Sequence, residues 1–270
     1  MAPRRLRYAL LLTGRGCRAW QVRCISRLLE AEEATPVRII RAVARDPEIR
    51  PRLSPGGILW RLLYRFELRR HPSPARQIHP LPEKAAGLPV IECALERHGA
   101  HAHQFAAADL DLIRGLDLDF VLAFTSLNIL RGGVLAAARY GIWSYHHGDP
   151  RRQRGAPPGV WEIYAGEPRS GAILQRLTDR LDAGIVLRQD DFATIDHSFV
   201  LNSDNLFFQS VGWAEEVCRK LAAGEPTNIN GPAIAEAAPI RRAPNNWQAL
   251  RLALILWRNN LRRAANRRWA

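Results

Sequence analysis

The chain has 270 residues, of which 47% are hydrophobic and 24% are charged, and its formal net charge is +13. This length and composition fit a soluble globular protein of one domain with a tail, or of two small domains, and exclude a disordered or fibrous chain. The four cysteines lack Cys-x-x-Cys spacing, so they indicate neither a disulfide framework nor a zinc site and favour a reducing cytoplasm. No apolar run approaches the ~20 residues that span a bilayer.

The order of elements at the N-terminus predicts a parallel sheet. Residues 7–13 read as a short buried strand, a Gly-rich turn follows, and a helix is predicted through Leu29. A second strand is predicted over 37–43. Because strand–helix–strand units build parallel sheets, we expect an α/β fold, Rossmann-like, with a mostly parallel twisted sheet flanked by helices. The Arg-rich start also permits a transit peptide, but the first strand needs this segment.

The middle of the chain is predicted to leave the sheet and return to it. A basic amphipathic helix over 58–70 and a Pro-rich connector over 71–89 make 51–89 a helical and Pro-rich excursion. Further strands are predicted over 88–93, 118–124, 141–145, 171–177 and 185–187, and helices over 107–115, 132–139 and 205–223. Gly224 closes the last helix as a C-cap, so the sheet domain is expected to span 1–225.

Three histidines, His98, His101 and His103, cluster after the third predicted strand. Their spacing matches no metal-binding template, so a solvated loop is the preferred interpretation and no metal site is predicted.

Residues 226–270 are predicted as a basic helical C-terminal tail. No acidic residue follows Glu236, whereas eight arginines do. Apolar residues recur there in steps of three and four: Trp247, Leu250, Leu254, Trp257 and Leu261. A basic helix with tryptophans suits the surface of an anionic membrane. The alternative is a helix docked on the domain through this Leu/Trp stripe.

Four separated blocks between residues 119 and 184 carry the most specific signal. Asp-Phe-Val-Leu-Ala-Phe and Ser-Leu-Asn-Ile-Leu (119–130) precede Trp-Ser-Tyr-His-His (143–147), then Arg-Gly-Ala-Pro-Pro (154–158) and Leu-Asp-Ala-Gly (181–184). His146 precedes Gly155 by nine residues and Asp182 by 36. In order and spacing the chain resembles the folate-dependent formyltransferase family, which includes methionyl-tRNA, glycinamide ribonucleotide and sugar N-formyltransferases. The resemblance runs from about Leu6 to Gly224 and is strongest over 118–189.

The resemblance implies transfer of a formyl group from 10-formyltetrahydrofolate to an amine, through a tetrahedral intermediate that bears an oxyanion. A protonated imidazole at His146 would donate a hydrogen bond to that oxyanion. Asp182 would hold the imidazolium and relay protons through water.

The third catalytic position departs from the family pattern. The family has Asn two residues before the His, and this chain has Ser144. A hydroxyl still donates one hydrogen bond, but its reach is shorter, and losing an oxyanion donor costs roughly two to three orders of magnitude in rate. Three outcomes remain open: Ser144, His147 or a water replaces the amide, the enzyme is slow, or the chain no longer performs the reaction.

For the folate, the resemblance implies that the backbone of Asn128, Ile129 and Leu130 lines the pteridine pocket. The loop that contains Thr178 and Asp179 and ends at Asp182 is expected to close its other side. Ligands of open α/β sheets bind at the carboxyl ends of the strands, which agrees with this placement.

Four residues are predicted to contact the acceptor. His147 replaces the family's Pro, with Asp149 in the same loop as a residue that could orient it, and Arg154 belongs to the Arg-Gly-Ala block. Trp161 and Tyr164 offer aromatic faces for a sugar or base, with core packing as the equal alternative.

The expected acceptor is a small-molecule amine, an amino sugar on a nucleotide or lipid carrier. Methionyl-tRNA formyltransferases continue into a β-barrel domain that grips tRNA, and too few residues follow Gly224 for such a domain. The expected location is the cytoplasm, with peripheral contact to an anionic membrane. The alternatives are a catalytically altered, formyltransferase-like binding module, motivated by Ser144, and a methionyl-tRNA formyltransferase-like or RNA-binding protein, motivated by the charge of +13.

Overall fold

The computed structural model describes residues 5–44, 56–98, 102–125, 130–180 and 183–268. The strands in these residues are β1 (Leu6–Leu12), β2 (Cys17–Arg18), β3 (Ala34–Ala44), β4 (Ile78–His79), β5 (Val90–His98), β6 (Ala102–Phe105), β7 (Phe120–Phe124), β8 (Ile142–His146), β9 (Arg154–Gly155), β10 (Arg169–Arg176), β11 (Ile185–Ala193) and β12 (Ile240–Arg241). The α-helices are α1 (Ala19–Glu30), α2 (Ile58–Arg70), α3 (Glu83–Ala86), α4 (Ala107–Arg114), α5 (Trp161–Ala165), α6 (Phe199–Gln209), α7 (Trp213–Ala222) and α8 (Asn246–Arg268), and 3-10 helices cover Pro74–Arg76 and Gly132–Ala136.

Eight strands form one sheet in the order β11-β10-β8-β7-β1-β3-β5-β6. The five central strands, β5, β3, β1, β7 and β8, are parallel, and β6, β10 and β11 pair antiparallel at the edges. The chain starts in the middle, winds outward to β5 and crosses back to β7. This confirms the predicted α/β fold with a mostly parallel sheet. In open sheets of this kind, ligands bind outside the carboxyl ends of the strands, where the winding reverses.

The two faces of the sheet have separate apolar cores. Trp143 of β8 faces a cluster that contains Trp20 of α1 and Trp213 of α7. Ile142 faces the other cluster, with Ile113 of α4 and Val134 of the second 3-10 helix. Because side chains alternate along a strand, the remaining residues of β8 divide between these two faces.

The excursion and the C-terminal helix meet in a third cluster. Trp60 of α2, Leu252 and Leu256 of α8, and Phe199 of α6 pack together there. The Leu/Trp stripe that the sequence offered for docking α8 is exposed instead, so that assignment is wrong. The helix is apolar on two faces, and Ala249, Leu252 and Leu256 of the opposite face make the contact. The domain boundary expected between residues 225 and 226 stays a prediction.

Two predicted helices have a different form. The single helix expected over 205–223 is α6 followed by α7, because the Ser210 hydroxyl donates to the carbonyl of Phe207 and Gly212 precedes the second helix. The helix expected over 132–139 is a short 3-10 helix that begins with two glycines, the residues with the weakest helix propensity after proline. Gly224 has a φ of +68° after α7, which confirms its capping role.

The sheet edges contain strand residues that the sequence did not indicate. β11 extends to Ala193 through polar residues, and β6 includes His103, which was assigned to a loop. Polar and charged residues are usual on edge strands, where they discourage pairing with other chains. His101 lies outside the described residues. Within the described part of the chain, no helix has the length and apolar character needed to cross a membrane.

Candidate functional site

His146 ends β8, and its strand neighbours define the site. In the antiparallel register His146 lies opposite Ile173 of β10, and Ser144 lies opposite Gln175. Directly opposed residues share a face, so these four side chains lie on the Ile142 side of the sheet. A Cβ on Gly148 would come within 3.3 Å of His146 Nε2, so the imidazole lies against the backbone of the loop that follows β8. The structure therefore brings together His146 and Ser144, two of the three predicted catalytic residues.

Gln175 is a site residue that the sequence analysis missed. Its side chain is buried, and its Oε1 accepts a hydrogen bond from the backbone N–H of Gly184 at 3.1 Å. Next to it, Ile173 packs against Ala183 in a small apolar cluster with Ile234. The segment Ala183–Gly184 therefore folds back over the face that carries His146. The available signal was a polar residue directly after the apolar run 172–174 of the strand.

Asp182, the predicted partner of His146, lies outside the described residues, as does Leu181. The residues on both sides of them are held in place. Thr178 Oγ1 donates to the carbonyl of Ala183 at 3.2 Å, and Arg180 donates to the carbonyl of Ala235 at 3.0 Å. The role of Asp182 stays a prediction.

The predicted folate-binding residues that the structure describes lie on the same side of the sheet. Leu130 is buried in the apolar cluster of that face, and Leu177, next to Thr178, packs against the same cluster. Asp179 is exposed. Asn128 and Ile129 lie outside the described residues. The two segments expected to enclose the pteridine thus meet one apolar cluster, and their contact with folate stays a prediction.

His147 lies on the opposite side of the sheet from His146. Its ring packs edge-on against Trp20 and Phe207, with centroid distances of 4.9 and 4.4 Å, and its Nε2 is 3.2 Å from Ser210 Oγ. Burial, with the nearby charges of His146 and Arg18, lowers the pKa of His147 to about 3. This neutral, buried ring has the surroundings of a core residue, and they do not favour the predicted contact with a substrate.

The sequence suggested that Asp149 could orient His147, but the hydrogen bonds of Asp149 go elsewhere. It accepts hydrogen bonds from the N–H of Arg151 and from Arg152 Nε, at 3.0 and 3.2 Å. Arg152 also contacts Glu167 at 3.5 Å and Asp191 at 2.6 Å. These ion pairs fix the loop after His146, because the guanidinium bridges three carboxylates that come from different parts of the chain.

A single segment of the C-terminal region braces both loops of the site. This segment, residues 233–241, is called the C-terminal strap here. Its Ile234 N–H donates to the carbonyl of Gly184 at 3.1 Å, and its Ala238 N–H donates to the carbonyl of Pro150 at 2.8 Å. At its end, Arg241 accepts from the N–H of Ala156 at 3.1 Å. The strap therefore links the segment Ala183–Gly184 to the loop that follows His146.

The strap and α8 contact the remaining predicted acceptor residues. Arg154 lies in β9, which pairs with β12 of the strap. Trp161 is buried, and the Arg241 guanidinium lies 5.1 Å from its ring centroid. Tyr164 is half-buried, with Arg251 of α8 over its ring at 4.7 Å. Trp161 thus has core surroundings, whereas Arg154 and Tyr164 are partly open to solvent; all three contacts with an acceptor stay predictions.

The overall arrangement of strands and helices matches solved formyltransferases. Glycinamide ribonucleotide transformylase 1 from Symbiobacterium toebii superposes with a TM-score of 0.54 at 16% identity, covering 82% of this chain and 89% of that one. The chain has a formyltransferase fold. At this level of identity the comparison concerns the fold.

Part of the chain is also similar in sequence to curated methionyl-tRNA formyltransferases. The protein of that name from Halorhodospira halophila is 33% identical over 102 residues, which are 37% of this chain and 33% of the relative. The one from Rickettsia prowazekii is 30% identical over 82 residues, 30% of this chain and 27% of the relative. The chain thus spans about a third of the length of these relatives, and no family model matches it. The resemblance to the formyltransferase family that the motifs predicted is confirmed.

Proposed function

We propose that this formyltransferase-like protein is an enzyme that moves a formyl group from 10-formyltetrahydrofolate to an amine. The observation that carries the proposal is the face shared by His146, Ser144 and Gln175, with Ala183–Gly184 folded back over it. The names of the sequence relatives and of the structural neighbour support formyl transfer as the reaction class.

The described residues fit a folate as the formyl donor. Leu130 and Leu177 belong to or pack against the apolar cluster on the His146 side of the sheet, and Thr178 follows Leu177 directly into the closing loop. Apolar surroundings of this kind suit a flat pteridine. When bound, 10-formyltetrahydrofolate supplies a formyl carbon that an amine can attack.

The residues of the chain would then stabilise charge and move protons. A protonated His146 donates a hydrogen bond to the formyl oxygen as negative charge develops there, which is the largest single contribution in acyl transfer of this type. Asp182 receives the proton that the attacking amine loses, through water, and the departing nitrogen of the folate is protonated in turn. Ser144 Oγ is a second donor on the same face, and Gln175 holds the closing loop by accepting the Gly184 N–H.

The acceptor that we propose is a small-molecule amine on a phosphate-bearing carrier, such as an amino sugar linked to a nucleotide or a lipid. Support comes from the loop after His146, which carries Arg151, Arg152 and Arg154. Arg152 is occupied by three carboxylates. Arg151 is half exposed, hydrogen-bonds Gln189 at 2.8 Å and has one more distant carboxylate, that of Asp149 at 3.9 Å. Arginine binds phosphate through two parallel hydrogen bonds, so this loop suits a phosphorylated substrate.

An acceptor screen with 10-formyltetrahydrofolate tests both parts of the proposal. The native protein should formylate at least one amino-sugar conjugate, and His146→Ala and Asp182→Ala should both slow the reaction strongly, His146→Ala by about a thousandfold. Equal turnover by all three proteins would contradict the mechanism. Efficient formylation of initiator methionyl-tRNA, with none of an amino sugar, would contradict the acceptor class while leaving the reaction intact.

Ser144 supports a second candidate, a binding module that retains the fold and has lost turnover. Titration with folate followed by a single-turnover assay separates the two functions. Folate binding with no transfer to any amine in the screen would establish the binding module.

A further inference from the structure

Helix α8 is apolar on two opposite faces. Its inner face packs Ala249, Leu252 and Leu256 into the third cluster. Its outer face carries large apolar side chains that are exposed, including Trp247 at 80% and Trp257 at 64%. The complete outer stripe is Trp247, Leu250, Leu254, Trp257 and Leu261. Steps of three and four residues place these five side chains in one line along the helix.

Helix α2 repeats this arrangement beside it. Its Trp60 packs into the same cluster as Leu252 of α8, and the two helices contact each other. Its outer side exposes Ile58, Leu59, Leu62 and Phe66. Because both helices bury one side in a shared cluster, their outer stripes both point away from the core. We call the joint surface of these nine residues and their flanking arginines the α2–α8 face.

The charge on this face has one sign. The two helices carry nine exposed arginines: Arg61, Arg65, Arg69, Arg70, Arg251, Arg258, Arg262, Arg263 and Arg267. Their one acidic residue, Glu67, is buried, and its carboxylate accepts a hydrogen bond from Ser198 Oγ at 2.7 Å. Among the described residues, no carboxylate pairs with Arg61, Arg65, Arg258 or Arg262. The exposed apolar stripes therefore lie within a positive field.

We propose that the α2–α8 face binds the surface of an anionic lipid bilayer. Apolar side chains, with Trp247 and Trp257 at the level of the headgroups, would enter the interface while the flanking arginines contact lipid phosphates. This partner uses both properties of the face. A second copy of the chain would place two positive surfaces without carboxylates against each other, and RNA would leave the leucine, isoleucine and phenylalanine side chains without a partner.

Vesicle co-sedimentation of the full chain tests the proposal, independently of formyl transfer. The protein should bind vesicles of phosphatidylcholine with phosphatidylglycerol, bind phosphatidylcholine alone much more weakly, and lose affinity as salt rises. Replacing Arg61, Arg258 and Arg262 together by Gln should weaken binding by about two orders of magnitude, since each cationic residue near such a surface contributes about fivefold.

Matched variants separate the face from the general charge of the protein. Trp247→Ser and Trp257→Ser should each weaken binding by about tenfold or more, because each removes a large apolar side chain from the interface. Leu112→Ser on α4 and Arg219→Gln on α7 change residues of the same kinds that are exposed elsewhere, and should leave binding unchanged. All these positions are exposed, so circular dichroism should show an unaltered fold.

A second measurement locates the contact. Brominated lipids quench tryptophans that enter the bilayer, and Trp20, Trp60, Trp143, Trp161 and Trp213 are buried. In a Trp269→Phe background, quenching should therefore come from Trp247 and Trp257. Failure to bind anionic vesicles, or binding that survives the arginine and tryptophan variants, would overturn the proposal. It would also be overturned if the Trp variants dissolved a dimer, or abolished RNA binding, while native protein ignored vesicles.

Discussion

His146 and His147 are neighbours in the chain, yet they lie on opposite sides of the sheet. Tyr145 and His147 stack in parallel with centroids 6.1 Å apart, which places His147 among the aromatic residues of the α1 side. His146 lies opposite Ile173 on the side that carries Ser144 and Gln175. Strand alternation therefore separates an imidazole available for chemistry from one that stabilises the core.

The buried His147 makes stability depend on pH in a defined direction. The pKa of His147 in the folded protein is about 3, below the ordinary value of 6.5. As the pH falls below 6.5, His147 is therefore protonated in the unfolded chain but stays neutral in the folded chain. Between pH 7 and pH 4.5 this histidine should remove about 2.5 kcal/mol from the free energy of unfolding.

Urea unfolding of native protein and His147→Gln at both pH values measures this effect. The variant should lose less stability on acidification. The difference between the two proteins measures the contribution of His147 alone, because the contribution of Glu162 is the same in both. Burial raises the pKa of Glu162 to about 7, so that carboxyl acts in the opposite direction and favours the fold as the pH falls toward 4.5. His79→Gln, at an exposed position, is the control. Identical pH profiles for native protein and His147→Gln would contradict the account.

Gln175 offers a second prediction at this scale, which rests on the proposed function. Gln175→Leu removes the acceptor that holds Gly184 and should lower kcat by about 100-fold, because the closing loop loses its position relative to His146. Gln209→Leu, an exposed glutamine on α6, should leave the rate unchanged. A normal kcat in Gln175→Leu, with native thermal stability, would show that this hydrogen bond has no part in transfer.

Spacing alone located His146 and Ser144 but not Gln175. His146 and Ser144 belong to a motif with a fixed spacing along the chain. Gln175 belongs to no such motif and lies at the site because β10 pairs with β8 in this register. That register is a tertiary property, and a single sequence does not display it. Trp161 was left open between core and substrate contact for the same reason.

At the scale of elements, the strap depends on Gly155. This residue has a φ of +108°, and a Cβ there would lie 2.1 Å from the carbonyl oxygen of Arg241. Both features disfavour any other residue, so Gly155→Ala should separate β9 from β12 and destabilise the fold by about 2 kcal/mol or more.

Gly166→Ala is the matched control for this substitution. Gly166 also has a positive φ, +73°, but nothing lies within 4 Å of its missing Cβ. Its replacement should cost only the backbone strain, about 1 kcal/mol. Chemical denaturation of both variants measures the difference. A Gly155→Ala variant as stable as Gly166→Ala would mean that the strap contributes little to the fold.

Elements were predictable where periodicity and length agreed. Helix α2 was predicted with its observed bounds, because its amphipathic pattern and its flanking turn residues coincide. The break between α6 and α7 was not predicted, because apolar residues continue across it. The hydrogen bond from the Ser210 hydroxyl to the Phe207 carbonyl, which weakens the helix there, is not visible in the periodicity. The polar end of β11 was missed because an edge strand lacks strict alternation.

At the scale of the whole molecule, the alternation of strands and helices predicted the sheet but not what covers its end. The C-terminal residues were interpreted as a tail, and they form the strap and α8, which contact both site loops and α2. These contacts join residues far apart in sequence. Helix α8 has two apolar stripes, and both have the same spacing of three and four residues. Periodicity therefore does not determine which of the two stripes packs against the domain.

The central claim is that the His146 side of the sheet transfers formyl groups, and the two adjacent histidines provide its most direct test. Single-turnover transfer from 10-formyltetrahydrofolate to the acceptor found in the screen would be measured for native protein, His146→Ala and His147→Gln. The account predicts a loss of about a thousandfold for His146→Ala, the cost of removing a main oxyanion donor, and a rate close to native for His147→Gln. A His146→Ala enzyme as fast as the native protein, or an equal loss in both variants, would contradict it.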